Sequence, residues 1–273
     1  MMDFSLAAFE VAASIIRPRV RRTPLVRASA LSEATGASVW LKCETFQVTH
    51  SFKDRAAFGT LLPRLDDARR RGVATSSSGN FAQAIAYAGR ELGVSVTVVM
   101  MESSRPNKVV ATRRYGAEIV FCPADFAARE AELERVLGET GRLKVHPYDD
   151  EHTVRGTGTL GFELLEEAGD ADAVVVPVGG GGLIAGISAV MKQSGFGGKI
   201  YGVQPERNPS FKTAFTSGKR VAQPFAQSIA DGLLATVPGE TGFALSHRYV
   251  DGALDVSEAE IAAATAQLAD DEK

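Results

Sequence analysis

The chain has 273 residues, 45% of them hydrophobic, enough to bury one large core or two smaller ones, and its formal net charge of −3 offers no basic face for nucleic acid or anionic lipid. Its two cysteines, Cys43 and Cys122, stand far apart without CxxC spacing, which argues against a disulfide framework and a zinc site and fits a reducing compartment. No apolar stretch reaches membrane-spanning length and no basic-then-apolar leader opens the chain, so cytoplasmic residence is the default expectation.

Basic residues cluster at Arg17, Arg19, Arg21 and Arg22, and again at Arg69 to Arg71, each time at the end of a helical pattern, where cations favour the helix dipole. A strand is expected over Ser38–Cys43, and after its turn comes Thr49-His50-Ser51-Phe52-Lys53-Asp54-Arg55, leading into a helix. A lysine at a helix start opposes the dipole, so its neutral amine is favoured, as imine formation with a carbonyl group requires. Taken alone, such a lysine is also an ordinary surface residue.

Strands follow at Val73–Ser76, Val94–Met100 and Glu118–Cys122, separated by helical patterns. One runs from Phe81 to Leu92 and ends at Gly93; the other opens on Pro106 and closes on Gly116 after Tyr115. The turn Ser76-Ser77-Ser78-Gly79-Asn80 puts hydroxyls and an amide at a helix N-terminus, which suits a carboxylate or a phenolic oxygen, or simply caps the helix.

Ala173–Val178 reads as another buried strand, Leu183–Met191 as a helix and Ile200–Gln204 as a strand. Between the first two lie Gly179, Gly180, Gly181 and Gly182, whose unobstructed N–H groups at a helix start form a phosphate cradle; the alternative is a flexible turn. The same stretch loosely matches the dinucleotide pattern GxGxxA, but Gln204 stands where that fingerprint expects an acid, with Glu206 two residues beyond. Ser257 and Glu260 form a capping box ahead of a helical run to Lys273. The histidines His50, His146, His152 and His247 show neither i,i+4 pairing nor HExxH, and no metal is expected on them.

Repeated strand–helix–strand units imply mostly parallel sheets covered by helices, with ligand sites at strand carboxyl ends. The two glycine-containing turns are about a hundred residues apart, so the expectation is an α/β chain with two lobes interleaved in sequence and a cleft between them.

Taken together, Arg22-Thr23-Pro24-Leu25, Leu41-Lys42-Cys43-Glu44, Ser51-Phe52-Lys53-Asp54-Arg55, Ser77-Ser78-Gly79-Asn80, Pro177 to Leu183 and Ile229-Ala230-Asp231-Gly232 resemble, in this order, the fold-type II pyridoxal-phosphate enzymes of the serine/threonine dehydratase and serine racemase group. The resemblance implies two open, twisted, mostly parallel sheets flanked by helices. It also implies a large domain from residues 1–72 and 148–273 and a small one from 73–147. Lys53 would carry pyridoxal 5′-phosphate through an imine, and Phe52 would pack on the ring. Asn80 would bond the ring's 3′-oxygen, Gly179 to Gly182 would hold the phosphate, and Gly232 would be a further cofactor-binding residue. Ser77, Ser78, Asn80 and Phe81 would face a small amino-acid substrate, with Lys53 and Ser78 as the acid/base pair. A homodimer is implied as well.

Phe81 stands where many dehydratases have histidine, and His50 where a glycine is usual. The racemase-like members carry a divalent-cation site at positions that here read Gln204, Asn208 and Ser210, a neutral set that argues against a metal. The family's later serine- and glycine-rich segment has no counterpart before Lys273, so the C-terminal part of the large domain is expected to be missing. The leading expectation is dehydration and deamination of L-threonine or L-serine to a 2-oxo acid and ammonia. Serine racemase and threonine synthase are the enzymatic alternatives. A catalytically impaired ligand-binding module and, last, a nucleotide-binding oxidoreductase are the alternatives of another class.

Overall fold

The structure, a computed structural model, describes residues 2–271. Its strands in chain order are β1 (Leu25–Arg27), β2 (Trp40–Lys42), β3 (Val73–Ser76), β4 (Val96–Met101), β5 (Glu118–Cys122), β6 (Leu143–Lys144), β7 (Ala173–Pro177), β8 (Lys199–Pro205) and β9 (Gly252–Val256). The chain folds as two compact units, one from residues 2–21 and 47–159, the other from Arg22–Phe46 and residues 160–271.

The first unit is built on a four-stranded parallel sheet of order β5-β4-β3-β6. All four residues of β3 are buried, as is usual where helices cover both faces of a parallel sheet. The helix Asn80–Leu92 supplies Phe81, Ile85 and Leu92 to the core, which Phe58, Leu61, Val98 and Met100 share. It ends where expected, on Gly93 in the left-handed conformation.

Two glycines let the helix Lys53–Leu61 press against the start of the helix Glu151–Ala168. A Cβ on Gly59 would lie 2.7 Å from Gly156 Cα, and one on Gly156 would lie 2.3 Å from Arg55 O. Thr60 and Thr153 join their hydroxyls at 2.7 Å across the same contact. Small residues therefore set the position of the helix whose first residue is Lys53.

The second unit holds the parallel sheet β7-β8-β9 and the antiparallel ribbon β1-β2. Val176, Val178, Ile184, Ile187, Met191, Ile200 and Phe211 form its core with Leu160 and Leu164. Charge ties the ribbon in place. The buried Lys42 ammonium lies 2.8 Å from both Glu163 and Glu167 and donates to Thr23 O at 2.7 Å, while Arg22 pairs with Glu166 and Glu167 at 2.6 and 2.8 Å.

The two parallel sheets are those anticipated, with strand ends displaced by one or two residues. The strand expected over Ser38–Cys43 forms as β2, Trp40–Lys42, but its partner β1, the short β6 and β9 were not anticipated. The unit containing the four-stranded sheet extends past residues 73–147, because the packing of Gly59 on Gly156 and of Phe58 and Leu61 in the core draws residues 47–72 and 148–159 into it. Residues 22–46 join the other unit through the charges on Lys42 and Arg22.

The capping box forms as written. Ser257 N donates to Glu260 Oε2 at 2.7 Å and Glu260 N to Ser257 Oγ at 3.2 Å, opening the helix Glu258–Asp271; Glu272 and Lys273 lie outside the described residues. Among the described residues no helix is long and apolar enough to cross a membrane.

Candidate active site

The loop before Lys53 is held by one buried carboxylate. Asp54, fully enclosed in the first turn of the helix, accepts from Thr49 N at 3.0 Å and from the Thr49 hydroxyl. This bends the chain back at His50, the only non-glycine residue of the described chain with positive φ, at 63°. A glycine is at ease in that conformation, which gives the His50 substitution a backbone cost.

Lys53 Nζ donates to Pro147 O at 2.7 Å and lies 5.0 Å from the ring centroid of Phe52 and 5.7 Å from that of Phe81. Burial pushes its ammonium down to about 8, so the neutral fraction near physiological pH far exceeds that of an ordinary lysine. Next to that carbonyl, His146 accepts at Nδ1 from Asp149 N at 2.8 Å and Tyr148 N at 3.3 Å, which fixes the loop carrying Pro147; burial lowers the His146 pKa too.

The turn after β3 belongs to the same unit. Gly79 occupies the N-cap position of the helix Asn80–Leu92 and no side chain caps it, so the reading of these serines and Asn80 as simple caps fails. Their polar groups are used otherwise. Ser76 Oγ donates to Glu130 Oε1 at 2.5 Å, Ser77 Oγ accepts from Gly79 N at 3.4 Å, and Ser78 Oγ accepts from Met101 N at 3.2 Å. Asn80 Oδ1 accepts from Lys108 Nζ. Phe81, only 1% exposed, lies in the core of the unit with its ring towards Lys53.

The glycine turn belongs to the second unit. It leaves β7, passes Gly181 at φ 90°, and enters the helix Gly182–Gln193. Backbone crowds it from two directions: a Cβ on Gly179 would lie 3.2 Å from Gly232 O and Leu233 Cα, and one on Gly242 would lie 3.1 Å from Gly181 C. Gly239 N donates to Gly180 O at 3.0 Å, tying the turn to the start of the helix Glu240–Tyr249. A bare turn at the head of a twelve-residue helix suits an anion.

At the neutral positions in and after β8, Gln204 Nε2 donates to Asn208 O at 2.6 Å and its Oε1 accepts from Lys212 N at 2.7 Å, while Ser210 Oγ donates to Ala235 O at 2.6 Å. Gln204 and Ser210 are thus spent on peptide groups. Among the described residues no three His, Cys, Asp or Glu side chains are grouped as metal ligands.

The first unit thus holds an amine of lowered pKa, and the second a glycine turn at a helix N-terminus. The family model of the pyridoxal-phosphate dependent enzymes matches residues 16–273. The chain belongs to that family. An L-threonine ammonia-lyase of Geobacter sulfurreducens is 40% identical over 253 residues, covering 93% of this chain and 63% of the relative, so the chain spans a little under two thirds of that protein's length. Among solved structures, a T.th. threonine deaminase superposes with a TM-score of 0.93 at 36% identity, covering 98% of this chain and 87% of that one. Maize serine racemase superposes with a TM-score of 0.94 at 30% identity, covering 97% and 80%. These matches place the fold among the fold-type II enzymes, as the motifs implied.

Three features had not been read from the residues: the Pro147 carbonyl on Lys53, the Lys108 ammonium on Asn80, and Gly242 against the glycine turn. Gly242 left the faintest trace, a glycine early in a helical pattern.

Proposed function

We propose that the chain is a pyridoxal-phosphate-dependent lyase that converts L-threonine or L-serine to a 2-oxo acid and ammonia. One observation carries the reading: Lys53, on the first turn of a helix fixed by close glycine packing, has an amine that burial brings to about pH 8 between two aromatic rings. Similarity to the threonine ammonia-lyase supports the substrate class. When bound, pyridoxal phosphate supplies an electron sink for the pair left at the substrate's α-carbon.

Lys53 Nζ then takes the α-proton, with the Pro147 carbonyl holding one of its hydrogens and so orienting the amine. Ser77, Ser78 and Asn80 receive the substrate carboxylate at the uncapped start of their helix. Gly179 to Gly182, with Gly232 behind them, take the cofactor phosphate, and Phe52 packs on its ring. The β-hydroxyl leaves as water, which hydrolysis later returns, so that each substrate molecule yields one 2-oxo acid and one ammonia.

The test is an absorbance spectrum of the purified chain with pyridoxal phosphate before and after borohydride, peptide mapping of the reduced product, and an assay of 2-oxo acid release. Reduction should trap the cofactor on Lys53, and threonine or serine should yield 2-oxo acid. A fully loaded protein that releases none from either amino acid would falsify the lyase reading.

Similarity to maize serine racemase and the half-buried hydroxyl of Ser78 favour racemisation as the second reading. Ser78 would then reprotonate the α-carbon from the face opposite Lys53. Deuterium entering the α-position of serine without ammonia release distinguishes the two. The same reading carries a homodimer and cytoplasmic residence, checked by light scattering and cell fractionation.

A further inference from the structure

Asn80 is the first residue of its helix, and Lys108 stands in the first turn of the helix Pro106–Arg114. Both side chains are half-buried, and Lys108 Nζ donates to Asn80 Oδ1. The turn that carries the lysine is itself fixed: Thr112, fully buried, donates its hydroxyl to Lys108 O at 2.8 Å. Among the described residues no carboxylate pairs with this ammonium.

An ammonium carries three donors and no acceptor, so it can face only the oxygen of an amide. With Oδ1 turned to Lys108, the Asn80 NH2 is turned away from it, and the amide cannot flip without breaking a charge-assisted bond. The positive charge also draws electrons towards Oδ1 and makes the N–H a stronger donor. Because the charge faces a neutral amide, it remains available to favour an anion on the far side of Asn80.

The geometry points to Lys108 as a positioning residue that locks the Asn80 amide with its NH2 presented to the cofactor's phenolic oxygen. This rests on the proposed cofactor reading. Lys108 needs no contact with cofactor or substrate; it acts through Asn80.

The test uses the full chain loaded with pyridoxal phosphate and reads two quantities besides activity: the apparent Kd for the cofactor and the pH midpoint of its bound absorbance spectrum. Lys108→Met should raise the Kd about tenfold, equivalent to about 1.4 kcal/mol, and move the spectral midpoint to higher pH, because the phenolate loses its fixed donor. Lys108→Arg, which also only donates, should restore both. In an Asn80→Ala background, Lys108→Met should add less than about a twofold change, since the two residues act as one unit.

Unchanged Kd and spectrum in Lys108→Met overturn the inference, as does an undiminished tenfold loss in the Asn80→Ala background. If Lys108→Met does not fold, Lys108→Gln decides: it removes the ammonium while keeping a polar side chain beside Asn80 Oδ1, so an unaltered spectrum overturns the proposal and a shifted one supports it. A wild-type chain that takes up no cofactor overturns the reading beneath it instead, which separates the two failures.

Discussion

Two turns in this protein leave a parallel strand and open a helix, yet they are made from opposite materials. After β3, Ser76, Ser77, Ser78 and Asn80 each commit a polar side chain to a named partner: Glu130, Gly79 N, Met101 N and Lys108. After β7, Gly179 to Gly182 carry no side chain at all; a Cβ on Gly179 would meet Gly232 O and Leu233 Cα at 3.2 Å, and one on Gly181 would stand 3.8 Å from the backbone of Gly242. Under the proposed function, the contrast answers what each end of the ligand asks for. Telling a carboxylate from a phenolic oxygen takes oriented donors, and orientation needs neighbours. Holding a phosphate takes several N–H groups at close range, and closeness needs bare backbone.

The largest effect should come from removing the amine that works beside the side-chain-rich turn. Lys53→Ala should abolish borohydride-trapped attachment completely, as read by intact mass. Non-covalent retention of the cofactor should persist, because the glycine turn is untouched. Loss of both together would break the division of labour between the two turns.

Next in size is a side chain in the bare turn. Gly181 sits at φ 90°, so Gly181→Val forces a β-branched residue into a conformation it avoids, at a cost of about 1–3 kcal/mol. The melting temperature and cofactor retention should fall together. Gly179→Ala should act more mildly, since its Cβ meets Gly232 O and Leu233 Cα at 3.2 Å and a small shift relieves it. A Gly181→Val protein that melts and binds like wild type would show that the turn's openness is incidental.

A third, intermediate effect is a pH dependence. Lys53 titrates at about 8 in the folded chain against an ordinary 10.5. Methylation kinetics of that amine in the cofactor-free protein should therefore have a midpoint of about 8, well below that of surface lysines. The sign for stability follows from proton counts. Below about 8 both folded and unfolded chains hold the proton, and the cost of burying the charge is fully present. Between about 8 and 10.5 the unfolded chain holds a proton that the folded one has lost, so this group's contribution to stability rises with pH. Denaturant midpoints for wild type and Lys53→Met should converge across that window; parallel curves would mean the amine is not desolvated.

What was legible in the residues tracks how local the cause is. Four successive glycines, a proline opening a helix, and Gly93 and Gly116 closing two helices act through their own backbone, and they mark structure wherever they fall. Lys53 was legible because a family motif surrounds it. Lys108 was not, because a lysine in a first helical turn looks like any solvated one until the fold brings Asn80, 28 positions away, to its tip. The Pro147 carbonyl is a peptide group, identical in kind to every other, and only its meeting with Lys53 across 94 positions gives it a role. The extent of each compact unit was hidden for the same reason, since Lys42 reaches Glu163 and Glu167 from over a hundred residues away.

The smallest predicted effect sharpens the contrast between the two turns by asking whether the loop before Lys53 wants a glycine of its own. His50 holds φ 63° where the helix Lys53–Leu61 is about to begin. Leaving the left-handed region to glycine relieves about 1–2 kcal/mol of steric cost. Against that stands the greater freedom glycine has when unfolded, about 0.5–1 kcal/mol. His50→Gly should therefore stabilise the chain by about 0–1.5 kcal/mol, a rise in melting temperature of a few degrees at most. The pH at which Lys53 titrates should not move, because the lysine's position is set by Asp54 holding Thr49 and by Gly59 packing on Gly156, neither of which depends on the side chain at position 50. A destabilised His50→Gly protein would mean that the imidazole's contacts outweigh the strain, and that histidine at this position is a structural element in its own right.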